Sequence, residues 1–304
     1  MSATTGAVSR IPVLGRFDLD ESIRFLEGFT PAARSDAAEE TGVLRLAFPV
    51  EGTWDHVGVL IRQRAPAVVE AEVFAAEDVV PAVVAQVGRI LSLDVDGTGF
   101  GGIGASDEVA GRLIGRYPGL RPVLFHSPYE AACWAVIGHR IRIPQAAGIK
   151  QRTAERFGRA VPVGGRSLVS FPGPEELLIA GDELGVPEVK IDRLRGLAEA
   201  ARDGLLDANL LRGMEADEAL AHLQTLRGIG PFSAQLILIR GAGHPDVFPR
   251  DERRLHAEIE HAYGLKDATP AQLEQIAEGW RPFRSWMALL LRSDRERRTH
   301  EISG

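Results

Sequence analysis

Asp251 is the residue of this chain whose neighbours best equip it for chemistry. It ends the run His244-Pro245-Asp246-Val247-Phe248-Pro249-Arg250-Asp251 and precedes a segment of helical periodicity from Glu252 to about Tyr263, stopped by Gly264. A carboxylate ahead of a helix can serve as its N-cap, worth roughly 0.5–2 kcal/mol. Aimed into a cleft, it can instead stabilise positive charge that develops at a reacting carbon. About twenty residues earlier stands Leu226-Arg227-Gly228-Ile229-Gly230-Pro231-Phe232-Ser233-Ala234. Gly-Ile-Gly lets the backbone turn sharply, and a helix opening at Pro231 leaves its first amide N–H groups uncovered. Those donors and the positive end of the helix dipole suit an anion such as a phosphate; a tight helix-helix turn without a ligand is the alternative.

Composition narrows the classes. With 304 residues, 45% hydrophobic and 25% charged, the chain is sized for two or three folded domains. The single cysteine, Cys133, excludes an internal disulfide, a four-cysteine zinc site and a four-cysteine iron-sulfur cluster, and points to the cytoplasm. Met1 to Arg10 is small and polar, and no stretch approaches the roughly 18 apolar residues of a membrane span, so neither export nor membrane embedding is expected. The eight histidines show no ligand spacing, so a catalytic metal is not expected, and no cofactor is expected for the chemistry. The net charge of −7 hides an asymmetry. From Arg140 through Arg142, Lys150, Arg152, Arg156 and Arg159 to Arg166 there are seven basic residues against Glu155 alone, whereas the first sixty residues hold nine carboxylates, Asp36 and Glu39 among them, against five arginines. A nucleic-acid binder with one working face shows such a split, as does a solvated helix face.

The elements that must position these groups divide near Gly104. Asp20 can cap a short helix through Leu26. Leu44, Leu46, Phe48 and Val50, then Val57, Val59 and Ile61, alternate with small or polar residues, and Ala67 to Phe74 is a third strand. Three strands without intervening helices imply an antiparallel sheet, with Asp78 to Leu91 as a helix lying on it. Beyond about residue 105 no strand signal follows. Ser127-Pro128-Tyr129-Glu130 and Thr269-Pro270-Ala271-Gln272 read as capping boxes, Pro144 opens a helix that Gly158 closes, and Pro187 opens one that Gly204 closes. The fold expected is α+β: residues 1–103 an antiparallel sheet with helices, residues 104–304 an all-helical, two-lobed domain. Trp280, Phe283 and Trp286 have the spacing of core residues, and the charged tail from Arg292 to His300 reads as a solvated helix end.

The hairpin paired with an aspartate after a proline resembles the helix-hairpin-helix DNA glycosylases, and within them the AlkA-type bacterial 3-methyladenine DNA glycosylases. Leu91-Ser92-Leu93-Asp94, Tyr129-Glu130-Ala131, Ile137-Gly138-His139 and Trp280-Arg281-Pro282-Phe283-Arg284-Ser285-Trp286 extend the resemblance over most of the chain. It implies that Asp251 is the catalytic carboxylate and that double-stranded DNA with a damaged base or abasic site is the partner of a monomeric, nucleoid-associated enzyme. It also implies that Gly228, Ile229, Gly230, Phe232, Ser233, His139, Arg140 and Arg142 meet DNA, and that the backbone carbonyls of Gln224, Leu226 and Gly228 can hold a monovalent cation, Na or K. Strand-cleaving members carry a lysine in the hairpin's second helix; Phe232 stands there, so hydrolysis without lyase activity is expected.

The resemblance assigns the base pocket to Tyr129, Trp134, Phe232, Leu236, Glu252 and Arg292. For Trp134, helical spacing offers core packing as the other role. Several positions depart from the AlkA pattern. Phe232 replaces tryptophan; Leu236, Glu252 and Arg292 stand where aromatic residues are expected, and an arginine there disfavours a cationic base. Arg140 holds the place of a leucine wedge, after His139 where glutamine is common. Release of damaged, alkylated purines is the leading expectation. A noncatalytic lesion or abasic-site binder, and a glycosylase for a deaminated or bulky base, are the alternatives.

Overall fold

The computed structural model describes residues 6–28 and 40–299; Asp36, Glu39 and His300 lie outside them. Strands β1 (Ala7–Pro12), β2 (Val43–Pro49), β3 (His56–Ala65) and β4 (Val68–Phe74) form an antiparallel sheet in the order β1-β4-β3-β2. The alternation read in the sequence is its inner face. Leu44, Leu46, Phe48, Val57, Val59 and Ile61 pack with Val83, Val87 and Ile90 of helix α2, Val80–Ile90. Strand β1 joins the three expected ones at an edge; of its side chains only Ile11 is buried, so it carries almost no alternation to read. The first helix, α1 (Leu19–Gly28), is capped by Asp18 rather than Asp20: the Asp18 carboxylate accepts from the Asp20 and Glu21 N–H groups at 2.9 and 3.3 Å.

The remainder is built from α3 (Glu108–Arg116), α4 (Pro128–Gly138), α5 (Ile143–Phe157), α6 (Pro174–Ala180), α7 (Glu188–Arg202), α8 (Ala208–Gly213), α9 (Ala216–Gln224), α10 (Pro231–Leu236), α11 (Arg253–Tyr263), α12 (Pro270–Glu278) and α13 (Arg284–Thr299). It is not all-helical. A hairpin of β5 (Arg159–Val163) and β6 (Arg166–Ser170) interrupts it, and Val161, Val163 and Leu168 cover the outer face of the sheet at Val43, Ala47 and Leu60. Each strand is five residues long and alternates on one face only, too short a pattern to stand out beside helices. The hairpin sits so close that a Cβ on Gly58 would meet Val163 Cγ2 at 2.5 Å.

The two lobes have separate cores, one around α4, α7 and α10 and one around α3, α11 and α13. Trp280, Phe283 and Trp286 are buried in the second, as their spacing implies. Helix α4 is apolar on every side and buried from Pro128 to Ile137, which makes it the rigid spar of the first lobe. Ser127 caps it, accepting from the Glu130 N–H at 3.0 Å. The return half of that box is absent, because the Glu130 carboxylate faces His126 and Lys150 instead; at Thr269 both halves form. The charged tail is not a free helix end: Arg298 pairs with Glu258 at 2.5 Å and Asp294 with Arg116 at 2.6 Å, locking α13 to α11 and α3.

Candidate active site

The end of α4, the start of α10, the Pro249–Glu252 turn and the middle of α13 enclose a cavity of about 790 Å³, to which Phe25 of α1 adds a wall from the sheet domain. Asp251 lines it, and its role as an N-cap is excluded. Glu252 is the N-cap of α11, without a side-chain cap bond. The Asp251 carboxylate turns instead to Gln235, buried in α10. Gln235 Nε2 donates to Asp251 Oδ2 at 2.9 Å, and the Asp251 N–H donates back to Gln235 Oε1 at 3.2 Å. One amide thus fixes both the backbone and the carboxylate of Asp251 from the hairpin's second helix. Nothing in the sequence marks Gln235, since the contact spans sixteen residues and depends on how the hairpin folds back.

The expected pocket residues are mostly brought together. Trp134, Phe232, Leu236, Glu252 and Arg292 line the cavity with Asp251, and Phe232 is half exposed at its mouth. Tyr129 is not among them. It is fully buried against Trp54 and Phe171, one turn too early on α4, and burial pushes its hydroxyl well above the ordinary range. Arg292 is no isolated charge. It pairs with Glu252 across from α11 and with Glu296 at 3.0 Å on its own helix, a partner the sequence reading missed.

Beside the base cavity lies a groove of about 1190 Å³ bordered by residues 224–230, Arg140, Lys190 and Arg193, with no Asp or Glu among its described lining residues. His139, Ile141 and Gly230 border both spaces. Gly228 takes φ +92°, the left-handed turn that closes the loop, whereas Gly230 is extended at φ −95° and caps α10. Ile229 departs from its expected role: its side chain is buried in the first core and its N–H donates to the Leu226 carbonyl at 3.0 Å, so it anchors the loop. Ser233 is also buried, with its hydroxyl 3.5 Å from His139 Nε2. On its other side His139 Nδ1 lies 3.4 Å from Arg193 Nη1. Burial, then Arg193, Lys190 and Arg140, lowers the His139 pKa, so it bridges as a neutral ring between α7 and the hairpin. Arg140 is exposed with φ +56° in the short link between α4 and α5, bordering the groove rather than the base cavity. Arg142, also exposed, is the N-cap of α5.

The basic run is not one face. Lys150 pairs with buried Glu130 at 2.5 Å, Arg159 with Glu176 at 3.2 Å, and Arg156 with Glu183. Among the described residues Arg140, Arg142 and Arg152 make no ion pair, and the positive surface of the groove is completed from α7 by Arg193 and from the hairpin by Arg227, while the buried Lys190 ammonium donates to the carbonyls of Ile137 and His139 at 2.7 and 2.9 Å. Nor do the described residues hold any cluster of His, Cys, Asp or Glu suited to a metal, and no described helix is long and apolar enough to cross a membrane.

No family model matches the chain. Its sequence is 31% identical over 183 residues to DNA-3-methyladenine glycosylase 2 of Escherichia coli (strain K12), covering 59% of this chain and 62% of that protein, so less than two thirds of that relative's length is matched. The fold is similar to that of 3-methyladenine DNA glycosylase from Archaeoglobus fulgidus, with a TM-score of 0.77 at 23% identity over 96% of this chain and 99% of the other. A structure of the Schizosaccharomyces pombe 3-methyladenine DNA glycosylase in complex with abasic DNA is 25% identical with a TM-score of 0.50, covering 62% of this chain and 92% of that one. With its glycine hairpin, the aspartate held against it and a sheet domain ahead of two helical lobes, the chain is similar in sequence and in fold to 3-methyladenine DNA glycosylases.

Proposed function

We propose that this protein is a monofunctional DNA glycosylase that hydrolyses the N-glycosidic bond of damaged, alkylated purines in double-stranded DNA and leaves an abasic site. The observation that carries the reading is the Asp251 carboxylate, held by Gln235 in the wall of a cavity large enough for a flipped nucleotide. Stretching the bond between base and deoxyribose builds oxocarbenium-like charge on the sugar, and a carboxylate fixed beforehand stabilises charge present only in the transition state. Glycosidases ordinarily need a second carboxyl group to protonate the leaving group. A purine alkylated on a ring nitrogen is already cationic and departs neutral, so one carboxylate suffices, with water adding to the sugar carbon.

Flipping costs a few kcal/mol and is offset by filling the gap and stacking the base. Arg140, projecting from the α4–α5 link, is the candidate wedge, and Phe232 at the cavity mouth is the candidate stacking surface. The groove along the hairpin, with no Asp or Glu among its described lining residues, suits the DNA backbone, and the backbone carbonyls of Gln224, Leu226 and Gly228, residues of its lining, would hold a monovalent cation beside the phosphate. Among the described residues no lysine lines the base cavity, and the bond is broken by hydrolysis without an amine nucleophile and hence without strand cleavage. DNA as partner agrees with the abasic-DNA complex of the fission yeast relative, and the enzyme acts as a monomer.

The test is release of free base from methylated duplex DNA by the parent protein and by Asp251→Asn. The parent releases base and leaves alkali-labile sites; the variant binds abasic duplex as before but is slowed by about 100-fold or more. Undiminished turnover in the variant would remove Asp251 from the mechanism. Absence of release by the parent, with tight abasic-site binding, would make the protein a lesion-binding module.

A further inference from the structure

Between α10 and α7 a line of three polar side chains runs into the groove beside the hairpin. Ser233 Oγ lies 3.5 Å from His139 Nε2, and His139 Nδ1 lies 3.4 Å from Arg193 Nη1. A guanidinium carries only donors, so Nδ1 faces it with a lone pair, and a proton there would set two donors against each other. The ring is therefore neutral while Arg193 stays in place. Arg193 itself has capacity to spare: among the described residues its enclosed Nε has no hydrogen-bond partner. Its stem lies over the left-handed turn at Gly228, where a Cβ would meet Cδ at 2.6 Å. The charged groups facing the ring are Arg193 and Lys190 of α7 and Arg140 of the α4–α5 link, all cations, and no Asp or Glu stands among the described residues lining their groove. On its other side the ring borders the base cavity with four arginines and the carboxylates of Asp251, Glu252 and Glu296. Among the described residues none of these makes a hydrogen bond or ion pair with it.

Resting on the DNA-binding reading above, we propose that His139 takes up a proton when a DNA phosphate enters the groove, and that His139 and Arg193 then hold this phosphate together. Phosphate oxygens are acceptors. They satisfy the guanidinium and draw it away from Nδ1, and the freed Nδ1, once protonated, donates to the same anion. The phosphate charge also offsets the field of the three cations that keeps the free ring neutral. The proton comes from solvent, and no bond of the DNA is made or broken in this step. The sign follows from linkage. A ring whose pKa is higher in the complex than in the free protein favours the complex as pH falls; the gain is complete below the free value and lost above the bound one. The free value lies below the ordinary histidine value, so the window reaches across about pH 6.5. Each unit by which binding raises it adds up to about tenfold in affinity.

The experiment titrates an abasic-site duplex into the parent, His139→Gln and Arg193→Met from about pH 5.5 to about pH 8, at fixed potassium concentration. Calorimetry near pH 6.5 in two buffers of different ionisation enthalpy counts the protons taken up on binding. Towards the acid end the affinity of the parent rises about tenfold more than that of His139→Gln, and the parent takes up on the order of half a proton where His139→Gln takes up none. Arg193→Met removes the cation that faces Nδ1 in the free protein, so it binds more weakly and takes up less proton than the parent. Parallel pH profiles for the parent and His139→Gln, equal uptake by the parent and Arg193→Met, or no uptake by the parent overturns the proposal and leaves the DNA-binding reading standing. The last of these readouts needs no variant to fold. Failure of the parent to bind the duplex at any pH overturns both.

Discussion

Replacing each glycine of the hairpin by alanine separates the fold of the loop from its grip on DNA. At Gly228 the backbone is left-handed, φ +92°, and a Cβ would meet Arg193 Cδ at 2.6 Å and Cγ at 3.0 Å. The left-handed conformation costs a residue with a Cβ about 1–2 kcal/mol, and overpacking adds about 1–3 kcal/mol. Gly228→Ala therefore loses about 2–5 kcal/mol, and the displaced Arg193 also leaves His139, 3.4 Å from its guanidinium. At Gly230 the conformation, φ −95° and ψ −179°, is one that any residue adopts, and an added Cβ meets open space. Gly230→Ala stays within about 1 kcal/mol of the parent, because alanine also restricts the unfolded chain. Its methyl group stands where a phosphate would approach the start of α10, so its effect falls on affinity. Urea unfolding measures the first effect and titration of an abasic-site duplex the second. Equal stabilities for the two variants would refute the steric argument; full DNA affinity in Gly230→Ala would refute the placement of phosphate at this loop.

Two further substitutions test how the site is held and how the first lobe is built. Gln235→Leu fills the same space but removes both bonds to Asp251, so kcat falls about 10–100-fold through misplacement of the carboxylate while KM changes little; an unchanged kcat would show that Gln235 does not position Asp251. Lys150→Met removes the permanent cation beside the buried Glu130 carboxylate, leaving it only the His126 contacts, and destabilises the protein by about 3–5 kcal/mol, measured by urea unfolding at pH 7. The pH dependence follows. Burial raises the Glu130 pKa, but Lys150 and His126 outweigh it and hold the group well below the ordinary glutamate value. The stability Glu130 contributes is thus present above about pH 4.3, the unfolded value, and is lost as pH falls towards the depressed folded value. In Lys150→Met the onset of acid unfolding moves to higher pH, and an unmoved onset would refute the pairing.

Much of the fold and the centre of the site were legible because their signals are local. Turn and cap chemistry works within three or four residues, so Gly-Ile-Gly-Pro, Thr269-Pro270 and the glycines closing α5 and α11 announce themselves. Alternation over seven residues shows β2, while the five-residue strands β5 and β6 and the exposed edge strand β1 give too few buried positions to register. The basic run misled for a related reason. A one-dimensional count cannot tell that Lys150 turns inward to Glu130 on another helix while Arg193, far along the chain, completes the surface at the hairpin.

By itself the sequence determined the hairpin, the position of Asp251 behind it and the order of sheet and helices, because each rests on backbone geometry or short periodicity. Only the tertiary structure decided that Asp251 answers to Gln235 rather than to its own helix, that Tyr129 belongs to the core, and that Arg292 faces Glu252 forty residues away. Packing brings distant side chains within bonding reach of each other. Charge and hydrogen bonding then select partners by distance in space, and separation along the chain carries no record of that choice.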